Sequence, residues 1–388
     1  RILEKLKEEG PTDQELARTL TQQTADYLRS MRTNDGLARI IGEALIVYGS
    51  HEAADLFLPA LRKVTADDVI RVGRQYFSSG TATLVEQVPP AKKQKKADAA
   101  SRQTAPAPIL KKLPGGPRFI YLENRSLPLA DISILLPGGV LSEKPGLWGI
   151  SKLLADTLPA GNADYDEIEF NRLLDDHAVE LSVSDGNASI KIEASCPREE
   201  LEFTVGMLRA MLASPAFTTE AVERERTSLL EECKSKLVTP MSVADEQIRK
   251  ILFKGHPYGT GTESVMESLA VLPREKLEDF YRNVCLTPEK AVFGFAGDLS
   301  RKEAETFAEA LSAACRWKKN KVNTPPPPRF PAGELRVEAR LPREQAILFL
   351  SMPGAEISSP ESDVLDILKS DASSMASRLI RTVRNENG

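Results

Sequence analysis

The chain has 388 residues, more than one ordinary domain holds and enough for two or three domains that each bury a core. Hydrophobic residues at 41% and charged residues at 28% are typical of a globular protein, and a net charge of −5 offers no basic surface for nucleic acid. No apolar run approaches the ~20 residues of a membrane span, and no signal peptide is visible. These features exclude a nucleic-acid partner and leave the cellular compartment unknown.

Residues 1–88 are predicted to be helical with a strand at their end. In the first clear helix start, Thr12 can cap and Glu15 can return the hydrogen bond. Residues 64–69 repeat this pattern before a helix that ends near Tyr76, and the alternation over residues 82–88 predicts a strand. Because a helical pattern is already present at Arg1 and the chain stops just after another helix, we expect a piece of a longer chain.

Residues 89–114 are predicted to be a linker. They contain the cluster Lys92–Lys96, several alanines and prolines, and almost no large apolar residue. Such a composition cannot bury enough surface to offset the entropy of ordering. The lysines could contact an acidic surface, but a solvated hinge is the preferred interpretation.

From Arg118 onward, short strands joined by hairpins are followed by a run of helices. This order indicates an α+β fold, with antiparallel sheets covered by helices on one face. Strands are predicted at residues 119–122, 130–136, 179–183, 188–194 and 290–296, and helices at 147–158, 166–177, 197–212, 219–237, 241–253, 274–284 and 300–314.

A second boundary follows at the prolines of residues 325–328. After it, predicted strands at 334–340 and 345–351 and a helix at 359–368 repeat the strand-strand-helix order of residues 118–158. The sequence therefore contains a weak internal repeat with a period of roughly two hundred residues.

Several short motifs between residues 118 and 310 occur in the order and spacing of one peptidase family. They are Asn124–Pro128, Pro137–Gly139, Pro145–Leu147, Asp164–Phe170, Ser214–Phe217, Glu223–Glu232, His256–Gly259 and Phe295–Asp298. In this order they resemble the landmarks of the insulinase/pitrilysin-type metallopeptidases, which are inverted zincins. The resemblance implies a longer chain of two related halves, each of two α+β domains, that enclose a chamber for an unfolded peptide.

The resemblance also implies a domain organisation. Residues 1–88 look like the C-terminal part of a metallopeptidase-like domain, and residues 89–114 like the linker between the two halves. Residues 115–320 look like a metallopeptidase-like domain that lacks the zinc motif. Residues 330–388 look like the N-terminal part of a further such domain, where residues 377–384 resemble its Ser-Arg-Leu…Arg-Glu helix.

The residues that would carry catalysis in this family are replaced. An active member has His-x-x-Glu-His, in which two histidines hold zinc and the glutamate acts as the base, and a later glutamate completes the coordination. Here Lys152 and Asp156 stand at the histidine positions, Ala155 stands at the base position, and Glu232 matches the later glutamate, with Glu225 on the same helix face. We expect no catalytic, cofactor or metal residue in this segment. An ion pair from Lys152 to Asp156 or Glu232 is expected instead.

Other candidate residues favour structural roles. The histidines His51, His177 and His256 have no partner at metal-ligand spacing, and Gly138-Gly139 fits a strand-ending turn better than a phosphate loop. The charges over residues 223–236 fit a solvated or chamber-facing helix. The cysteines form no CxxC pair and are read as structural thiols, although disulfides stay open: Cys196, Cys233, Cys285 and Cys315.

The resemblance and the lost ligands together suggest part of a zinc-dependent endopeptidase. Zinc would belong to a domain upstream of Arg1, and this segment would form the non-catalytic half that encloses and binds substrate. Its partners would be an unfolded peptide or small protein and the upstream half of the same chain. The alternatives are a scaffold without any peptidase activity and a chaperone-like chamber that binds peptides without cleavage.

Overall fold

The computed structural model describes residues 7–76, 108–320, 325–331 and 335–339, together with isolated positions and pairs between 333 and 367. The chain divides into two compact units. One unit comprises residues 1–231 and 264–325, and the other comprises residues 232–263 and 326–388. Within the described residues, no helix combines the length and apolar character needed to cross a membrane.

The first unit contains a six-stranded sheet in the order β1-β2-β6-β3-β5-β4. All neighbouring strands run antiparallel except β2 and β6, which are parallel. The strands are β1 Ile109–Lys112, β2 Arg118–Glu123, β3 Leu129–Pro137, β4 Glu180–Asp185, β5 Ser189–Pro197 and β6 Val292–Gly297. The predicted α+β class and its mainly antiparallel sheet are therefore confirmed.

Helices precede, separate and follow the strands. Residues 13–76 form α1 Asp13–Ser30, α2 Asn34–Tyr48, α3 Ala53–Leu61 and α4 Ala66–Tyr76. The remaining helices are α5 Ile150–Thr157, α6 Glu167–Asp176, α7 Leu201–Ala213, α8 Thr219–Val238, α9 Pro240–Leu252, α10 Thr262–Val271, α11 Arg274–Phe280 and α12 Arg301–Ala314. The predicted caps are present, since Thr12 and Glu15 form a complete capping box at α1.

The core lies between one face of the sheet and its helices. Alternate residues of a strand point to opposite faces, and in β3 Ile132 and Ile134 are fully buried while Asp131 and Ser133 are half-buried on the other face. Helix α12 turns the small residues Ala304 and Ala308 into this core, beside β2 and β6. Each strand thus has one apolar face, and the helical layer covers the side of the sheet that these faces form.

Some predicted boundaries differ from the structure. The predicted linker ends earlier than residue 114, because Ile109–Lys112 pair with β2 as an edge strand. Helix α10 was not predicted, and helix α5 begins at Ile150 instead of Leu147 because Gly149 has a left-handed backbone. Residues 335–339 form no strand, and most of their predicted partner at 345–351 lies outside the described residues, as do residues 82–88. The assignment of residues to family domains stays a prediction.

Residues 13–32 dock on the sheet unit through two arginines. Arg29 donates to the carbonyls of Ala178 at 2.7 Å and Ser195 at 3.2 Å, and forms an ion pair with Glu180 at 2.8 Å. Arg32 reaches Asp131 and the Ser195 hydroxyl, each at 3.1 Å. Asp131, Ser195 and Glu180 lie in register on the sheet face opposite the core. The arginines therefore cover one row of that face.

The carbonyl that Arg29 reaches belongs to a residue with an unusual backbone. Ala178 has φ of 49° just after helix α6, in the left-handed region that favours glycine. The Val179 amide returns to Leu174 O at 2.9 Å, which closes the helix end. Ala178 therefore has a strained backbone, and in this turn its carbonyl points to Arg29.

We expect Arg29→Met to lower the free energy of unfolding by about 2–3 kcal/mol, because it leaves two acceptor carbonyls without their donor. Arg39→Met is the matched control, since Arg39 is exposed on α2 and should change stability by about 0.5 kcal/mol or less. Urea unfolding measures both. Equal effects of the two substitutions would show that Arg29 does not hold the helices.

Ala178→Gly should raise the free energy of unfolding by about 0.5–1 kcal/mol, because glycine adopts the left-handed backbone without steric cost. The control is Ala188→Gly in an exposed loop outside the left-handed region, which should lower stability. The midpoints of urea unfolding compare the two variants. A loss of stability in Ala178→Gly would contradict the assigned strain.

Candidate functional site

Helix α5 carries the residues at the positions of the peptidase motif, and a buried carboxylate positions its first turn. Glu143 accepts hydrogen bonds from the Gly149 amide at 2.9 Å and the Ser151 amide at 3.0 Å. Burial raises the pKa of Glu143 above its ordinary value, although the two amides oppose this shift. Gly149 has φ of 85°, and a Cβ there would lie 3.0 Å from the Val265 side chain. The helix start is therefore closely packed.

Lys152 and Asp156 lie one turn apart on α5 and form an ion pair. The Lys152 ammonium lies 2.5 Å from one Asp156 oxygen and 2.6 Å from the other. Lys152 is about half exposed, whereas Asp156 is mostly covered. Between them, Ala155 is fully buried and contributes only a methyl group. The expected pair from Lys152 to Asp156 is present.

The later glutamates lie on helix α8. Glu225 accepts from Arg224 at 2.9 Å, and Arg224 also holds both oxygens of Glu167 on α6. Glu232, which matches the family's third ligand, lies 2.7 Å from Lys236 one turn later. Each carboxylate that could complete a metal site is thus engaged by a neighbouring cation.

These residues do not fit a zinc ion. Protein zinc sites use histidine or cysteine, usually with four ligands, and α5 offers one carboxylate that is already held by an ammonium group. In the part of the chain that the structure describes, no three His, Cys, Asp or Glu side chains gather as a metal site would require.

The three histidines have different surroundings. His177 lies 2.6 Å from a Glu200 oxygen through Nδ1 and stacks on Phe203 at 3.6 Å between ring centroids. His256 accepts from the Tyr258 amide in its turn, and burial lowers its pKa. His51 is exposed. No sequence pattern indicates the His177–Glu200 pair, because its members lie 23 residues apart in the chain.

All four cysteines are free and buried, so the open possibility of disulfides is excluded. Burial raises the pKa of Cys196 to about 11 and that of Cys315 to about 12. Burial also raises the pKa of Cys233 and, further, that of Cys285. Thiols of this kind stay protonated and weakly reactive at neutral pH, which fits a structural role.

The second feature of the unit is the sheet face opposite the core, which we call the open sheet face. Ile120, Gly294, Ser133 and Glu193 lie side by side across strands β2, β6, β3 and β5. The small residues in the middle leave the backbone uncovered by bulky side chains, and Ile120 is exposed. Arg29 and Arg32 cover the neighbouring row.

The fold and the altered motif helix define an α+β metallopeptidase-type domain without metal ligands. The family comparisons agree with this class. Residues 118–264 match the model "Insulinase (Peptidase family M16)", and residues 272–388 match the model "Peptidase M16 inactive domain". The chain belongs to the insulinase family, peptidase family M16, and the predicted resemblance is confirmed.

Relatives of known sequence or structure extend beyond the matched region. The chain is 28% identical over 181 residues to the "Non-peptidase homolog YmxG" of Helicobacter pylori, which covers 46% of this chain and 41% of the relative. A peptidase M16 inactive domain from Pseudomonas fluorescens matches with a TM-score of 0.54 and 19% identity, over 57% of this chain and 53% of that chain. A protease from Helicobacter pylori matches with a TM-score of 0.50 and 14% identity, over 58% and 54%. Both structures show the fold alone.

We expect Lys152→Met to change the free energy of unfolding by less than about 1 kcal/mol, because a half-exposed ion pair contributes little. The control is Lys302→Met on an exposed position of α12, which should have no larger an effect. Thermal or urea unfolding measures both variants. A loss above about 2 kcal/mol would show that the pair is a main support of helix α5.

Proposed function

We propose that this chain is a non-catalytic member of the insulinase family that binds extended polypeptide and does not cleave it. The observation that carries the proposal is the motif helix, where Lys152 holds Asp156 and Ala155 replaces the base. Hydrolysis by the family's chemistry needs a metal-bound water and a base. At the motif positions, this domain offers neither a set of ligands for the metal nor a side chain that can act as the base.

The similarity to a relative named as a non-peptidase homolog supports the non-catalytic part of the proposal. That relative shares only part of its length with this chain, so the activity of any longer protein is itself part of what we propose. The comparisons identify no substrate and no partner.

The open sheet face supports the binding part of the proposal. Ser133 and Gly294 form a low floor between the exposed Ile120 on one side and the Glu193 carboxylate on the other. An extended chain can lie on Ser133 and Gly294 and direct apolar side chains to Ile120 and basic side chains to Glu193. Its successive side chains can do so because they point alternately to opposite sides. We therefore expect unfolded peptides or small unfolded proteins as the ligands.

A second candidate function is the supporting half of a zinc endopeptidase. The match of residues 118–264 to the insulinase model favours it, because the framework around α5 is retained. In this case zinc and hydrolysis belong to a domain upstream of Arg1, and this segment supplies a wall of the chamber. The two candidates share the binding role and differ in whether the complete polypeptide cleaves its ligand.

Fluorescence anisotropy with a labelled unfolded polypeptide tests the proposal, followed by electrophoresis of the same mixture. We expect saturable binding without cleavage in the presence or absence of a chelator. Ser133→Arg should weaken binding at least about tenfold, because it places a long, positively charged side chain where the peptide would lie. Glu309→Arg, on an exposed position of α12, makes a charge change of the same sign and should leave binding unchanged.

The outcomes separate the candidates. Binding that neither substitution changes would remove the open sheet face as the binding surface. Absence of binding would leave a scaffold role and overturn the binding role. Chelator-sensitive cleavage by the 388-residue chain would overturn the non-catalytic assignment, whereas cleavage by an upstream-extended chain alone would favour the endopeptidase half.

A further inference from the structure

Strands β1 and β2 present two cations on the open sheet face. Lys112 lies directly opposite Arg118 in the register of the two strands, and both residues are exposed. Because the next residue of β2, Phe119, points into the core, Arg118 points to the other face. Directly opposite residues of antiparallel strands have Cβ atoms about 5 Å apart. The two positive charges therefore stand side by side, and we call Lys112 and Arg118 the cation pair.

The cation pair has no acidic partner in the part of the chain that the structure describes. Lys111, which points to the other face, differs in this respect, since its ammonium lies 3.0 Å from a Glu305 oxygen. Like charges directly opposite each other destabilise a sheet. Lysine on an edge strand can serve to prevent pairing with other chains, but Arg118 lies on β2, which is paired on both sides. A carboxylate from a bound partner would offset the repulsion.

Carboxylates elsewhere on the same face already have partners. Asp131 lies 3.1 Å from Arg32, and Glu180 lies 2.8 Å from Arg29. Both arginines belong to residues 13–32, a segment that docks on this face. The open sheet face thus pairs its charges with the opposite charges of a polypeptide segment laid on it. By the same complementarity, a segment that lies on the cation pair is acidic.

Apolar side chains lie next to the cation pair on the same face. Leu110 is 66% exposed and lies opposite Ile120, which is 37% exposed. Leu122 follows two residues further along β2 and is half-buried. Successive rows on one face are about 6.6 Å apart, which is also the spacing of residues i and i+2 in an extended ligand. A ligand that runs along β2 therefore meets the cation pair first and apolar side chains at its next two alternate positions.

The far side of the open sheet face does not make the same selection. Lys191 and Glu193 follow each other on this face of β5, and their charged groups lie 2.7 Å apart. This strand therefore offers both charges, and they neutralise each other. The β1–β2 side offers cations alone, so it sets the charge preference for a ligand.

We propose that the open sheet face selects extended polypeptides that carry an acidic residue two positions away from a large apolar residue. The cation pair binds the acidic side chain, and Leu110 and Ile120 contact the apolar one. A ligand with a basic residue in place of the acidic one is repelled. This inference rests on the proposed function, because it names the class of polypeptide that the same surface takes.

Fluorescence anisotropy with two labelled peptides tests the inference. One peptide carries Glu-Ser-Leu-Ser-Leu between flanks of glycine and serine, and the other carries Lys-Ser-Leu-Ser-Leu between the same flanks. We expect the native chain to bind the glutamate peptide at least about fivefold more tightly than the lysine peptide. The double variant Lys112→Glu/Arg118→Glu should prefer the lysine peptide, because both cations have become carboxylates.

The matched control is the double variant Arg209→Glu/Lys302→Glu. It makes the same change in net charge at exposed positions of α7 and α12, in the helical layer. We expect it to keep the preference of the native chain for the glutamate peptide. A reversed preference in this control would assign the selection to the net charge of the chain and overturn the inference.

The outcomes distinguish this inference from the proposed function. Equal affinity of the native chain for the two peptides would overturn the inference and leave the proposed function standing. The same holds if the unfolded polypeptide binds and neither peptide does. If no ligand binds, the proposed function fails and the inference fails with it.

Urea unfolding of Arg118→Glu gives a second measurement, which does not depend on a ligand. We expect a higher midpoint, because the substitution turns two like charges into an opposite pair with Lys112. Lys302→Glu should leave the midpoint nearly unchanged. A lower midpoint for Arg118→Glu would show that the arginine supports the fold, and would contradict its assignment to ligand binding.

Discussion

The structure depends on the one-sided burial of its six-stranded sheet. Alternate residues of β3, β5 and β6 send Ile134, Ile192 and Phe293 into one core, and helices α5 to α8 and α10 to α12 supply the other residues of that core. The other side is left for contacts of a different kind, with arginines on one row and small or polar residues on the next. Because this division needs only strand alternation and apolar helix faces, it does not depend on any residue of a catalytic site.

The fold therefore needs none of the residue types that the family uses for catalysis. Helix α5 is held at its start by Glu143 and Gly149, and its buried side packs in the core. Lys152 and Asp156 occupy the partly exposed side, where an ammonium and a carboxylate neutralise each other instead of holding a metal. Replacement of ligands at such positions changes function at little cost in stability. A binding or scaffolding role then needs only the surfaces that the fold still presents.

The sequence predicted the fold class, most strands, most helices and the Lys152–Asp156 pair, because alternation, capping residues and spacing within one helix are local signals. It did not predict β1, since four residues beside prolines resemble a linker until β2 provides hydrogen bonds. The contacts of Arg29 with Ala178 and of His177 with Glu200 were also beyond it, because they join residues distant in the chain.

The central claim is that this domain of an insulinase-family chain holds no catalytic metal. The most direct measurement is the zinc content of the purified 388-residue chain after dialysis against a zinc-containing buffer and then against metal-free buffer. The account predicts far less than one zinc per chain, with Lys152 and Asp156 paired. One zinc per chain that is lost on Asp156→Asn would contradict it, and would make the altered motif helix a metal site after all.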